Sequence, residues 1–439
     1  MTALSPAALR AQILALVATY YETAHKPAPF VPGVTPVGVA GRVYDATDMV
    51  SLVDSALDFW LSAGRFNAAF EQRLAERVGA TNALTVNAGS SANLLAVSAL
   101  MSPFRGERAL KAGDEVITPA AGFPTTVNPL FLYGLTPVFV DIDIPTYNLT
   151  AASVRAAIGP KTRAIMAAHT LGNPFEAAAI AEIARAHNLI LIEDCCDALG
   201  ARHQGREVGS FGLAGTLSFY AAHTITTGEG GALFTSDEAL FRAARSIRDV
   251  GKDCSCAPDE QNKCGKRYAL QMGDLPFGFD HRYTYSNLGF NFKMTDLQAA
   301  IGCAQMDHLE AFIAKRRANF ARLDAGLADL EPFFVRPRAT PASEPSWFGY
   351  TLTLRDDAPF GREELLRFLN ERHIATRLLF GGNLVRQPYM AGRPFRVAEP
   401  LVNSDRVMNK SFWLGVYPAL DDAAIDYVIE HMHAFLRRA

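Results

Sequence analysis

The sequence predicts an α/β fold, with a seven-stranded, mostly parallel sheet in a large domain and a smaller α+β domain after it. Three observations predict this. Short apolar runs bounded by turn residues recur between positions 83 and 235. Most of these runs alternate with segments of helical periodicity, the crossover that a parallel strand pair needs. The runs are apolar on both faces, as expected of strands covered on both sides.

Taken in order, Leu9, Ile13, Leu16, Val17 and Tyr20 recur at helical spacing. They predict an amphipathic helix rather than a signal peptide core, since only Arg10 precedes the apolar stretch and no small-residue cleavage pattern follows. A Pro-rich extended arm, Pro27 to Pro36, closes this first region (1–45), and such arms often wrap a partner subunit. The large domain, 46–330, holds the strand candidates Ala83–Asn87, Glu115–Thr118, Pro137–Asp141, Ala164–Ala168, Leu189–Glu193, Gly215–Tyr220 and Ala232–Thr235. Ala92–Met101, Ala151–Ile158 and Glu176–His187 read as helices between them. Residues 250–290 break the rhythm, being rich in Gly, Cys, Lys and Asp, and read as an insertion. A long helix from about Thr295 to Leu330 leads into the small domain, 331–439. There Gly349–Leu354 reads as a strand, and Arg362–Arg372 and Asp422–Arg437 read as helices.

Composition narrows the function. The net charge is −3, so no basic field argues for nucleic acid. No apolar run reaches the roughly 20 residues of a membrane span. Six cysteines in a chain of this size, four of them close to another cysteine, favour metal binding or catalysis over disulfides, with the cytoplasm as the expected compartment.

Three stretches at strand ends suggest a cofactor. Asn87-Ala-Gly-Ser-Ser-Ala-Asn93 lies between a strand and a helix, where free amides and the helix dipole attract an anion and small residues at 89–91 let a phosphate approach; an ordinary helix cap is the plainer reading. Ile190-Leu-Ile-Glu-Asp194 ends a buried strand in a carboxylate, suited to a pyridine nitrogen or simply to a cap. Phe123 follows another strand and either stacks on a flat ring or fills the core. The stretch from Thr216 to Thr235 organises the rest. It contains Ser218-Phe219, three residues, His223, and then Gly228-Glu-Gly-Gly231.

This last pattern resembles the active-site strand of the sugar-nucleotide aminotransferases that use pyridoxal phosphate (PLP), in which a lysine at this position carries the cofactor. Here it is His223, which cannot bond the aldehyde but can move protons near neutral pH. The resemblance runs from about residue 50 to the C-terminus and implies the type I PLP-dependent transferase fold. It implies that Gly89, Ser90 and Ser91 form the phosphate-binding helix start, Phe123 stacks on the ring, Asp194 partners the ring nitrogen and Ser218 reaches the phosphate. Gly289-Phe-Asn-Phe-Lys-Met-Thr-Asp-Leu-Gln-Ala299 resembles the segment whose Asn, here Asn291, reaches the neighbouring subunit's phosphate, which implies a homodimer. Asp197 departs from the Gln or His of many members.

Four cysteines are spaced as Cys196, 57 residues, Cys254, one residue, Cys256, seven residues, Cys264. Four thiolates suit an iron–sulfur cluster; zinc and unliganded thiols are the alternatives, and Cys-x-Cys fits zinc less well. Together with His223, this spacing resembles the CDP-4-keto-6-deoxy-D-glucose-3-dehydrase branch. That branch uses pyridoxamine phosphate (PMP) and a [2Fe–2S] cluster to make 3,6-dideoxysugars for cell-surface polysaccharide. The spacing favours Cys196 over its neighbour Cys195 as ligand, and Cys303 reads as core.

The resemblance implies His223 as the proton-transferring residue in loss of the 3-hydroxyl from a nucleotide-linked 4-keto sugar. A partner, an NADH-dependent flavin/iron–sulfur reductase or a ferredoxin, would then supply electrons. Two rivals stand beside this reading: a PLP aminotransferase using another lysine (Lys252, Lys263 or Lys266), and a non-catalytic iron–sulfur regulator on the same scaffold. Arg377 and Arg386 are candidates for a diphosphate.

Overall fold

The computed structural model describes residues 4–256 and 262–438; positions 257–261 of the insertion lie outside it. The large domain is built on one mixed sheet. Its strands are β1 (Asn82–Val86), β2 (Glu115–Pro119), β3 (Thr136–Val140), β4 (Thr162–Ala168), β5 (Ile190–Asp194), β6 (Ala214–Ser218) and β7 (Gly231–Thr235). The small region adds β8 (Phe334–Val335), β9 (Gly349–Leu354), β10 (Arg396–Val397) and β11 (Ser411–Gly415). The large sheet runs β1-β7-β6-β5-β4-β2-β3-β10. Only β7 is antiparallel to its neighbours, β1 and β6.

The expectation of seven strands is corrected to eight. The two-residue β10 joins from the C-terminal part, pairing parallel to β3 and fixed by Arg396, whose guanidinium donates to both Glu115 carboxylate oxygens at 3.0 and 2.8 Å. Two residues carry no periodicity, so no sequence pattern marks it. The expected strand Gly215–Tyr220 stops at Ser218, because Phe219 already enters the turn: its amide donates to the Gly230 carbonyl and its own carbonyl accepts from Thr227.

The helices are α1 (Pro6–Ala24), α2 (Ala46–Asp58), α3 (Arg65–Val78), α4 (Gly89–Leu100), α5 (Pro124–Leu132), α6 (Ala151–Ala157), α7 (Ala177–Ala186), α8 (Glu238–Arg248), α9 (Asp296–Gly326), α10 (Arg362–Asn370), α11 (Val402–Lys410) and α12 (Asp422–Leu436). One face of the sheet packs on α4, α5 and α8 through Leu95, Val127 and Ala243; the other packs on α6 and α7 through Val154 and Ile180. At the β1 side, α3 and α9 close a further core around Phe70, Phe219 and Ile313. A separate core surrounds β9 and β11, with Tyr350, Phe412 and Met432 inside.

Helix α1 forms as expected, with Ser5 as its cap, but its apolar stripe is not buried: Leu9, Ile13, Leu16 and Tyr20 are exposed, Leu16 at 68%. What holds α1 is Arg10, which bonds the Asp54 side chain and carbonyl at 2.7 and 2.5 Å. Among the described residues, no helix is long and apolar enough to cross a membrane.

Candidate active site

The candidate site lies where the carboxyl ends of β5 and β6 meet the start of α4, the usual ligand position in open α/β sheets. Strand alternation sends Glu193 and Asp194 to opposite faces. Glu193 is consumed internally, accepting from the Gly209, Phe211 and Gly212 amides and meeting His169 at 3.1 Å. Asp194 is 5% exposed and rigidly held. Its Oδ2 accepts from Asn93 Nδ2 at 2.8 Å and Thr126 Oγ1 at 2.7 Å, and its Oδ1 from the Cys196 amide at 3.1 Å. Thr216 Oγ1 donates to Asn93 Oδ1 at 2.6 Å and so fixes the amide's orientation. Sequence reasoning gave no role to Asn93, Thr126 or Thr216. Only their spacing to a common strand end connects them, and that spacing exists in three dimensions.

The phosphate cradle is built by exclusion of side chains. A Cβ on Gly89 would lie 2.4 Å from Ser218 Cβ, and one on Gly231 2.6 Å from the Ala88 carbonyl carbon. Strand β6, strand β7 and the start of α4 therefore interlock with no space between them. The cap residue of α4, Ala88, offers no side-chain acceptor, so the first amides of a 12-residue helix await an acceptor from elsewhere. Ser90 is exposed there and Ser91 half-buried. Phe123, at the end of β2, is 48% exposed, with its ring edge-on to Phe380 at 5.9 Å, so it stands outside the core.

His223 sits in the turn after β6, its amide donating to the Tyr220 carbonyl at 2.9 Å. Its Nδ1 lies 3.4 Å from Asp197 Oδ1, yet this buried nitrogen makes no hydrogen bond among the described residues. The distance permits charge attraction, but the alignment is not that of a hydrogen bond. Arg316 of α9, 1% exposed, donates to the His223 and Trp347 carbonyls, both at 3.3 Å. Burial pushes its guanidinium down to about 10, with Asp197 opposing the shift. Phe348 lies between them, 5.5 Å from the imidazole and 5.4 Å from the guanidinium. Asp197 thus stands beside the histidine rather than merely departing from a pattern, and Arg316, 93 residues away in α9, carried no sequence signal.

These features fit PLP or PMP: a fixed buried carboxylate for the ring nitrogen, a side-chain-free helix start with a hydroxyl beside it for the phosphate, an open aromatic face, and an unsatisfied imidazole nitrogen. Asn291 is exposed and pairs with Asp249, and the carbonyl of its neighbour Phe292 accepts from the Asn87 amide at 2.8 Å. Arg386 is exposed and pairs with Asp405, with bonds of 3.1 and 2.9 Å; Arg377 is exposed and bonds the Thr376 carbonyl.

The cysteines divide. Cys254 is raised by burial and interacts with Cys256 and Cys264; Cys264 lies 3.8 Å from His281 Nδ1, which lowers its thiol. Cys196 interacts with Asp194, Asp197 and Cys195, and burial pushes it well up. Among the described residues, no three of the cysteine sulfurs lie within 4.8 Å of one another. That spacing bears on a single metal ion such as zinc; a [2Fe–2S] cluster holds two thiolates on each iron, with the two pairs farther apart. Sheet order places β7 and β6 between β1, where the insertion packs, and β5, whose end leads to Cys196. Cys303, on α9, is raised to about 11 by burial and stays apart from the others, as expected of a core thiol.

A cavity of about 750 Å³ lies at the opposite, amino ends of the strands, lined by Asn188, Ile190 and Lys111, and holds none of these groups.

Residues 44–433 match the DegT/DnrJ/EryC1/StrS aminotransferase family. The chain is 53% identical over 427 residues to the lipopolysaccharide biosynthesis protein RfbH of Salmonella typhimurium, covering 97% of this chain and 98% of that one. It is 49% identical over 428 residues to the dTDP-4-dehydro-2,6-dideoxy-D-glucose 3-dehydratase of Saccharopolyspora spinosa, covering 98% and 92%. Its structure superposes on E. coli GDP-4-keto-6-deoxy-D-mannose-3-dehydratase with bound hydrated PLP with a TM-score of 0.82 at 29% identity, covering 90% of this chain and 98% of that one. The architecture is the type I PLP-dependent fold, and the chain belongs to the DegT/DnrJ/EryC1/StrS aminotransferase family.

Proposed function

We propose that this protein is a PMP-dependent 3-dehydrase acting on a nucleotide-linked 4-keto-6-deoxyhexose, with CDP-4-keto-6-deoxy-D-glucose as the substrate. Its product would feed deoxysugar and lipopolysaccharide synthesis. The observation that carries the reading is the imidazole of His223, held among Asp197, Arg316 and Phe348 at the position where a PLP transferase needs a lysine. The relatives named as 3-dehydratases support the reaction class.

When bound, PMP supplies an amine that condenses with the sugar's 4-keto carbon and a ring that takes up electron density. The chain does the rest. Asp194, fixed by Asn93 and Thr126, keeps the ring nitrogen protonated. The α4 amides at Gly89, Ser90 and Ser91, with the Ser218 hydroxyl, hold the phosphate. Phe123 covers one ring face. With Nδ1 turned to Asp197, the Nε2 of His223 is free to take a proton from carbon and return it to the departing 3-hydroxyl, which leaves as water. A placed proton-transfer group typically contributes about 10²- to 10⁴-fold. The site is completed across a homodimer by Asn291 from the neighbouring subunit.

The same reading includes a [2Fe–2S] cluster on Cys196, Cys254, Cys256 and Cys264 and a reductase partner. The test is anaerobic incubation of the protein with PMP and CDP-4-keto-6-deoxy-D-glucose, followed by mass spectrometry of the sugar. A sugar–cofactor species two waters lighter than PMP and substrate together is expected, one water from condensation and one from C3. Formation of an amino sugar with L-glutamate and PLP, without water loss, would overturn the reading in favour of an aminotransferase.

A further inference from the structure

The cysteine-bearing insertion is anchored far from the thiol it needs. Arg245 of α8 donates to the Ser255 carbonyl at 2.6 Å. Cys254 and Cys256 line a cavity of about 500 Å³ with Asn67, Glu71 and Arg248. Glu71 accepts from the Thr85 amide of β1 at 2.8 Å, and Arg248 donates to the Thr85 carbonyl. The insertion thus packs at the β1 edge of the sheet. Cys196 follows β5, three strands inward. Three inter-strand spacings separate β1 from β5 by ~14 Å.

The insertion is also fastened at its root. The Val250 amide donates to the Phe290 carbonyl at 2.8 Å, and the Asp253 amide to the Thr284 carbonyl at 3.0 Å. A Cβ on Gly289 would lie 1.9 Å from the Gly251 nitrogen, so the two limbs touch backbone to backbone. His281 ties the limbs again, through Asp253 at 2.7 Å and Cys264 at 3.8 Å. Swinging Cys254 and Cys256 across β7 and β6 to their own Cys196 would break these contacts.

What the insertion does present is an outward apolar surface. Leu288 is 91% exposed, and Tyr283, Tyr285 and Phe290 are exposed beside it. Phe59, Trp60 and Leu61 are exposed just before the Ser62–Gly64 segment that lines the cysteine cavity. An apolar patch of this kind is usually covered in the assembled protein. Asn291, bridged to Asp249 at the insertion root, directly follows Phe290 and is exposed as well.

We propose that the ligand set closes between two copies of the chain: Cys254, Cys256 and Cys264 of one protomer with Cys196 of the partner subunit. This rests on the reading that these thiolates hold a [2Fe–2S] cluster. It also agrees with Asn291 reaching the partner's phosphate, because Cys196 lies two residues beyond Asp194 at that same site. Each C2 dimer would then hold two clusters, each made by both chains.

Mixed dimers test this. Chains bearing Cys196→Ser and Cys256→Ser, carrying different affinity tags, are co-expressed and the heterodimer is isolated by tandem purification. Iron and acid-labile sulfide are then assayed per dimer, with the visible spectrum. Both homodimeric variants should lose iron, whereas the heterodimer should recover about half of the wild-type content, because one of its two symmetric sites then has all four thiols. Failure of the heterodimer to recover iron, with wild type loaded and both homodimers empty, would place all four ligands in one chain and overturn the proposal while leaving the cluster reading intact. Iron retained by the Cys196→Ser homodimer would also overturn it. Absence of iron from wild-type protein reconstituted with ferrous iron and sulfide would sink the cluster reading itself.

Discussion

A single exchange, imidazole for a primary amine at position 223, decides the chemistry proposed for this chain, and it was legible in the sequence because the flanking Ser218-Phe219 and Gly228–Gly231 fix the register. Its partners were not. Asp197 and Arg316 meet His223 only because β5 and α9 converge on the turn after β6, and one-dimensional spacing does not encode that. For the same reason Asp194 was legible as a strand-end carboxylate, while Asn93, Thr126 and Thr216, which hold it, were not. His223→Asn should keep PMP bound yet abolish solvent exchange at the cofactor's methylene carbon, read by NMR in deuterium oxide. His223→Lys should regain a borohydride-reducible linkage to PLP and lose water elimination; absence of the linkage would mean that position 223 does not face the aldehyde. Asp197→Asn should lower kcat about tenfold, less than the roughly 10²- to 10⁴-fold of a proton-transfer group itself, with little change in KM.

Elements were legible where their periodicity was strong. All seven candidate strands of the large sheet form within a residue or two of their expected ends. Helix α5 was missed because Pro129 sits inside it, and β10 because two residues have no period. Helix α1 shows the converse: its spacing is helical, yet the stripe faces outward, since the pattern alone does not say what covers it. The interlock of α4 with β6 predicts that Gly89→Ala will be poorly tolerated. Its Cβ would meet Ser218 Cβ at 2.4 Å, and neither atom can rotate away. A loss of about 1–3 kcal/mol in stability is expected, as for overpacking elsewhere, along with weakened PMP binding measured by fluorescence titration. The β10 clasp predicts a pH effect. The Arg396 guanidinium, by its hydrogen bonds, holds the Glu115 carboxyl below its ordinary value. That stabilisation is present above the unfolded carboxyl's pKa and is lost as pH falls through the lower folded value. Glu115→Gln should therefore lower Tm at pH 7, with the gap from wild type closing as the buffer is taken below about pH 4.

At the scale of the whole molecule, the sequence indicated a dimer and an insertion but not their relation. The insertion's thiols and Cys196 follow one spacing pattern along the chain, yet sheet order sets them on different strands' territory. The exposed apolar groups at the insertion root offer a direct handle. Leu288→Asp, at a side chain 91% exposed, should leave the protomer folded by circular dichroism and convert a dimer to a monomer in sedimentation velocity. The central claim is that His223 drives reversible loss of the 3-hydroxyl. The measurement that tests it most directly is oxygen-18 exchange into CDP-4-keto-6-deoxy-D-glucose, incubated with PMP and protein in labelled water, without reductant, and with the label located at C3 by mass spectrometry after borohydride quenching. Label at C3 with the wild-type protein, and none above background with His223→Asn, is the predicted result. Equal labelling by the variant, or none by the wild type, would contradict it.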